Sequence, residues 1–209
     1  MKQYLSTLLI FFLSITATSQ NLDSLWNIWN DETQADTMRL KAMNKIAWKG
    51  YLFSKPDSAF YFAQLHYDFA KSTNNKKWMA AALKTQGVSY AIRSDYSKAI
   101  DYFTRSLIIE EETGNKNGIA SSLNNIGGIY IKQGNYSKAI DYFTRGLKIR
   151  EQLGDKNGIA SSLNNIGIIY YYKSNYAKSL DYYSRSLKIN EELGDKKSIA
   201  GSLNSIGII

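Results

Sequence analysis

The chain has 209 residues, of which 44% are hydrophobic and 21% charged, with a formal net charge of +8. This is a globular composition rather than a disordered one, long enough for one ordinary domain or a short array of repeats. The absence of cysteine excludes a disulfide framework and a thiolate metal site, while the single proline permits long unbroken helices. The charge alone would admit a nucleic-acid or membrane-surface partner, so its distribution has to decide.

Residues 1–19 read as a signal peptide. Lys2 is a short positive region, Leu5 to Ile15 is an apolar run, and Ala17-Thr18-Ser19 places small residues before a cleavage site at Gln20. The rival reading is a membrane anchor, but the run is short for a bilayer span. Export would place the protein on the periplasmic or extracytoplasmic side of the inner membrane and argues against nucleic acid. Residues 20–38 read as an N-terminal capping segment. Within it, Leu22 to Trp29 has the pattern of a short amphipathic helix that offers Trp26 and Trp29 to a neighbour.

The rest of the chain is repetitive. KNGIASSLNNIG occurs at residues 116–127 and again at 156–167. Steps of forty from Gly127 reach Ala47, Gly87, Gly167 and Gly207, all small, and three residues later stand Tyr90, Tyr130 and Tyr170. The units are drawn as a divergent repeat at 39–79, regular repeats at 80–119, 120–159 and 160–199, and the start of another at 200–209. In one unit Leu123, Ile126, Gly127 and Tyr130 form a helical stripe, and Gly134-Asn135 breaks it. Ala139, Ile140, Phe143 and Leu147 resume the helical spacing to Leu153, and Gly154 to Gly158 reads as a polar loop. In the divergent unit Pro56 suits a helix start. Each unit is therefore helix, turn, helix, and the fold class is all-α. Gly127 and Ala139 are expected to let the two helices lie close, with Tyr130 and Phe143 filling the space around them. One hairpin cannot bury both faces, so neighbours stack.

Leu123, Ile126, Gly127, Tyr130, Ala139 and Phe143 occupy the signature positions of the tetratricopeptide repeat, which this unit resembles. Residues 83–103 match with Gln86 in place of an aliphatic residue, and 163–183 with Ser179 in place of Ala. The family's closing proline is replaced by Glu111, Glu151 and Glu191, and the period is 40 rather than 34, as in a longer-helix variety. The resemblance implies a right-handed α-solenoid whose first helices line a concave groove that holds a protein or peptide. A helical wheel puts Ser121, Asn125, Gly128 and Lys132 opposite the apolar stripe. The groove candidates that follow are Lys84 and Thr85 in one repeat, and Ser121, Asn124, Asn125 and Lys132 in the next. Ser161, Asn164, Asn165 and Tyr172 come from the third, and Asn204 from the last. Asparagine is a poor helix former, but its amide can donate to and accept from a peptide backbone. The competing reading is that these asparagines bond across to the neighbouring repeat or are copies left by duplication. If they bind, Asn125→Ala with Asn165→Ala weakens capture and leaves thermal stability near wild type.

Charge falls mainly on the second helices. Asp101 and Arg105, Asp141 and Arg145, and Asp181 and Arg185 are spaced i, i+4, which supports a solvated helix face. Mixed signs in a regular pattern argue against a nucleic-acid stripe but remain compatible with an acidic partner. His66, the sole histidine, reads as a surface or packing residue, since no second histidine or cysteine can join it. Glu110, Glu111 and Glu112 read as a solvated run at a helix end. Asn135-Tyr136-Ser137 fits a glycosylation sequon but falls where the repeat needs its turn. No catalytic residue, cofactor or metal ligand is expected.

The last residues, IAGSLNSIGII, restart the repeat and stop inside its first helix, which reads as a fragment of a longer protein. A signal peptide, a divergent opening repeat and a 40-residue array resemble the N-terminal region of bacterial sensor proteins, particularly of Bacteroidetes. That resemblance implies a non-enzymatic binding module of a signal-transduction protein, membrane-linked only through a downstream transmembrane helix. The alternatives are the regulatory arm of a histidine kinase or nucleotide cyclase, and a secreted scaffold.

Overall fold

The computed structural model describes residues 22–209, so the expected signal peptide lies outside the described residues. The chain divides after Asp95 into two compact units. All regular structure among the described residues is helical. No helix there is long and apolar enough to cross a membrane.

The first unit opens with α1, residues 22–30. Helix α2, Asp36–Lys45, runs into a π-helical stretch, Ile46–Tyr51, followed by α3, Pro56–Ser72, and α4, Lys76–Ile92. Pro56 starts α3, where its missing N–H has no partner to lose. Trp26 and Trp29 of α1 stand edge-on against Phe62 and Phe69 of α3, at 5.2 and 5.3 Å between ring centroids. Arg39 lies over Phe69 and donates to the Trp29 carbonyl. The capping helix is thus held by the faces its tryptophans offer. Beneath it Leu40, Met43, Ile46, Ala47, Ala59 and Ala63 are fully buried.

The second unit stacks six helices. They are α5 (Tyr96–Glu112), α6 (Lys116–Lys132), α7 (Tyr136–Leu153), α8 (Lys156–Tyr172), α9 (Tyr176–Leu193) and α10 (Lys196–Gly207). The helices are separated by very short turns. Gly114, Gly134, Gly154, Ser174 and Gly194 each have positive φ, and an Asn or Asp follows every one. Its side chain accepts from the backbone N–H three residues on: Asn115 from Gly118, Asn135 from Lys138, Asp155 from Gly158. One left-handed residue closes a helix and the next side chain caps its successor.

This corrects the expected loop at Gly154 to Gly158. Only Gly154 and Asp155 form it; Lys156, Asn157 and Gly158 are the first turn of α8. The first helices accordingly start four residues ahead of the repeat boundaries drawn from sequence. Gly158 is needed in that turn because a Cβ there would strike the Asp155 cap and Cδ of Arg150, the latter at 2.6 Å.

The small position also packs differently from the expectation. A Cβ on Gly127 would lie 3.1 Å from the ring of Phe143, and one on Gly167 would lie 2.7 Å from the ring of Tyr183. The aromatic side chain of the second helix thus occupies the space over the glycine. Around it Leu123, Ile126, Ala139, Leu163 and Ile166 are buried. The predicted Asp–Arg pairs form at 3.5 to 3.8 Å on exposed faces.

Candidate ligand groove

On α4, Lys84 is half-buried. Thr85 is buried and its hydroxyl donates to the Ala81 carbonyl at 3.2 Å, so it is a packing residue and not a groove residue. On α6, Ser121, Asn124 and Asn125 are half-buried and Lys132 is exposed at the helix end. On α8, Ser161 is exposed and Asn164 and Asn165 are half-buried. Tyr172 ends α8, exposed and stacked on Tyr136 at 5.8 Å. Asn204 is exposed on α10.

Ser161 and Asn164 come together in a groove of about 420 Å³ between α8 and α10. Asn157 and Ala160 complete the α8 wall, and Ser198, Gly201, Ser202 and Ser205 form the α10 wall. Ser186 and Asn190 of α9 lie buried at the bottom. Asn165 takes no part in this groove. Its amide Nδ2 donates to Oδ1 of Asn124 at 3.2 Å, tying α8 to α6. The cross-repeat reading of the asparagines therefore holds for Asn124 and Asn165, while Asn164 is left to the groove.

A row of polar bridges between helices was not foreseen from the sequence. Position 110 and its equivalents forty and eighty residues on carry Glu110, Arg150 and Asn190, and each reaches the serine twelve residues later. Glu110 accepts from Ser122 Oγ at 2.6 Å, Arg150 donates to Ser162 Oγ at 3.1 Å, and Asn190 donates to Ser202 Oγ at 3.1 Å. Glu110 is buried, contrary to its reading as part of a solvated run, although Glu111 and Glu112 are exposed. Burial lowers the pKa of Arg150, and Asp155 opposes that shift. The signal in the sequence was the repeated Ser at 122, 162 and 202, which pairs with whatever polar residue stands twelve before it.

His66 is fully buried, beside Trp78 at 5.5 Å, and neither ring nitrogen has a hydrogen-bond partner among the described residues. Burial lowers its pKa to about 4, so the packing alternative of its sequence reading is the one found. No group of three or more His, Cys, Asp or Glu residues able to hold a metal occurs among the described residues.

Tetratricopeptide-repeat models match residues 78–152 and 160–193, together more than half of the chain. The chain belongs to the tetratricopeptide-repeat family. No curated protein matches it in sequence. Among solved structures it is similar to BtubC (BKLC) from P. vanneervenii, with 16% identity and a TM-score of 0.74 over 93% of this chain and 80% of that one. It is also similar to the apo form of RapI, with 19% identity and a TM-score of 0.75 over 90% of this chain and 68% of that one. A Rap protein complexed with competence and sporulation factor gives 16% identity and a TM-score of 0.74 over 83% of this chain, which spans about half (52%) of that protein. At these identities the likeness is one of fold. This tetratricopeptide-repeat chain has stacked helical hairpins and a polar groove between the first helices α8 and α10.

Proposed function

We propose that this chain is a non-enzymatic module that binds a protein or peptide, working as the extracytoplasmic sensor part of a bacterial signal-transduction protein. The groove between α8 and α10 carries the reading. It is concave and lined by Ser161, Asn164 and Ser205, hydroxyls and amides that can pair with both the N–H and the C=O of an extended peptide. The complex of the similar Rap protein with competence and sporulation factor supports the peptide class of ligand. The export pattern, Lys2 followed by the apolar run to Ile15, supports the location.

Panning a random peptide library on the full chain tests the binding reading. Enriched peptides should lose roughly tenfold in affinity in Asn164→Ala, the loss of one or two hydrogen bonds, while the melting temperature stays at the wild-type value. A library that yields no peptide dependent on Asn164 or Ser161 sinks it. The location is tested separately by N-terminal sequencing of the exported protein, which should begin at Gln20.

A further inference from the structure

The groove between α8 and α10 has an internal template one repeat earlier. Arg150 projects from α7 onto α8, and its Nη1 donates to the Gly158 carbonyl at 2.7 Å and to Ser162 Oγ at 3.1 Å. The side chain is half-buried, with the Asp155 carboxylate as the nearby counter-charge. At the equivalent place in the next repeat the long side chain is gone. Asn190 reaches only Ser202. Two further changes widen the same space. Gly201 stands where α8 has Ser161, and Ser205 stands where α8 has Asn165. Asn165 crosses to the neighbouring helix, but the Ser205 hydroxyl turns back to the Gly201 carbonyl at 3.0 Å.

The acceptors that hold the guanidinium of Arg150 are retained around the emptied volume. Ser202, whose hydroxyl accepts from Asn190, replaces Ser162, and the Ser198 carbonyl replaces that of Gly158. Asp195 caps α10 as Asp155 caps α8, outside the lining of the groove and bonded to Lys197 and Ser198. No lysine or arginine lines the groove. The route from the second helix is closed, because a Cβ at Gly158 would come within 2.6 Å of Arg150 Cδ and Ser198 has that Cβ. A guanidinium can enter only from the open face.

Building on the peptide-binding reading above, we propose that this groove receives an arginine side chain of the bound peptide, at the place that Arg150 fills from within one repeat earlier. A planar, permanently charged donor set suits a site whose acceptors are a carbonyl and a hydroxyl, as those that hold Arg150 are.

The test is a chemical-shift titration of the isotope-labelled full chain with N-acetyl-arginine methylamide, using the citrulline compound as a neutral isostere. The arginine compound should move the Ser198 and Ser202 amides and the Asn190 side-chain amide, half-saturating at roughly tenfold lower concentration than the citrulline compound. Gly201→Leu should abolish the response. Nothing lies within 4 Å of a Cβ at Gly201, so that variant blocks the groove and keeps the fold. Equal response to the two compounds, no response, or a response unchanged in Gly201→Leu overturns the proposal. Selected peptides that bind equally well after arginine is replaced by citrulline also overturn it, and they leave peptide binding itself intact.

Discussion

Gly127 and Gly128 are adjacent in α6 and have opposite surroundings. A methyl on Gly127 would press on the Phe143 ring at 3.1 Å, whereas nothing lies within 4 Å of one on Gly128. Gly127→Ala should therefore destabilise by about 1–3 kcal/mol through overpacking, and Gly128→Ala should stabilise by about 0.5–1 kcal/mol by restricting the unfolded chain. Paired denaturation curves check both signs. His66 makes a residue-scale prediction of another kind. Its pKa lies at about 4 in the folded chain against 6.5 for the free side chain. Between those values the unfolded state binds the proton and the native state does not, so stability rises with pH across that window. The full contribution is present above pH 6.5 and falls away toward pH 4, by about 3 kcal/mol in total. Urea midpoints across pH 4–7 should show this slope, and His66→Phe should flatten it. A slope unchanged in the variant would assign the effect to other groups.

At the scale of elements, helix ends and side-chain bridges between helices carry different kinds of information. The turns were legible in the sequence because Gly134-Asn135 and Gly154-Asp155 put a left-handed residue directly before a capping side chain. Removing a cap, as in Asn135→Ala, should cost about 1 kcal/mol of stability, measurable by thermal melting. The start of α8 was misplaced because Gly158 was read as a turn residue. Its lack of a side chain serves Arg150 and the Asp155 cap instead. The groove was legible only in part. Ser161 and Asn164 fall on the right face, but the cavity itself comes from differences between copies: Asn190 for Arg150, Gly201 for Ser161, Ser205 for Asn165. A search for what recurs passes over such differences. Thr85 was misassigned for a related reason, since a helical wheel gives direction but not depth, and its hydroxyl folds back on its own helix.

At the scale of the molecule, near-identity between repeats predicts that one can be removed. Deletion of residues 116–155 joins Asn115 to Lys156. The first twelve residues of α8 are identical to those of α6, so α5 would meet the same surface it meets now. Asn115 would cap the Gly158 N–H in place of that of Gly118, and Glu110 would accept from Ser162 as it does from Ser122. Farther along, Ile169 and Tyr170 take the places of Ile129 and Tyr130, and the three large changes, Ile168 for Gly128, Tyr171 for Ile131 and Tyr172 for Lys132, fall at half-buried or exposed positions. Stability in such an array is close to a sum of repeat and nearest-neighbour contributions. The shortened chain should therefore unfold cooperatively with native-like helical circular dichroism. Its denaturant slope should be about a fifth smaller, in proportion to the surface no longer exposed on unfolding, with a lower midpoint. Loss of the cooperative transition would mean that α7, with Arg150, does more than link two like surfaces.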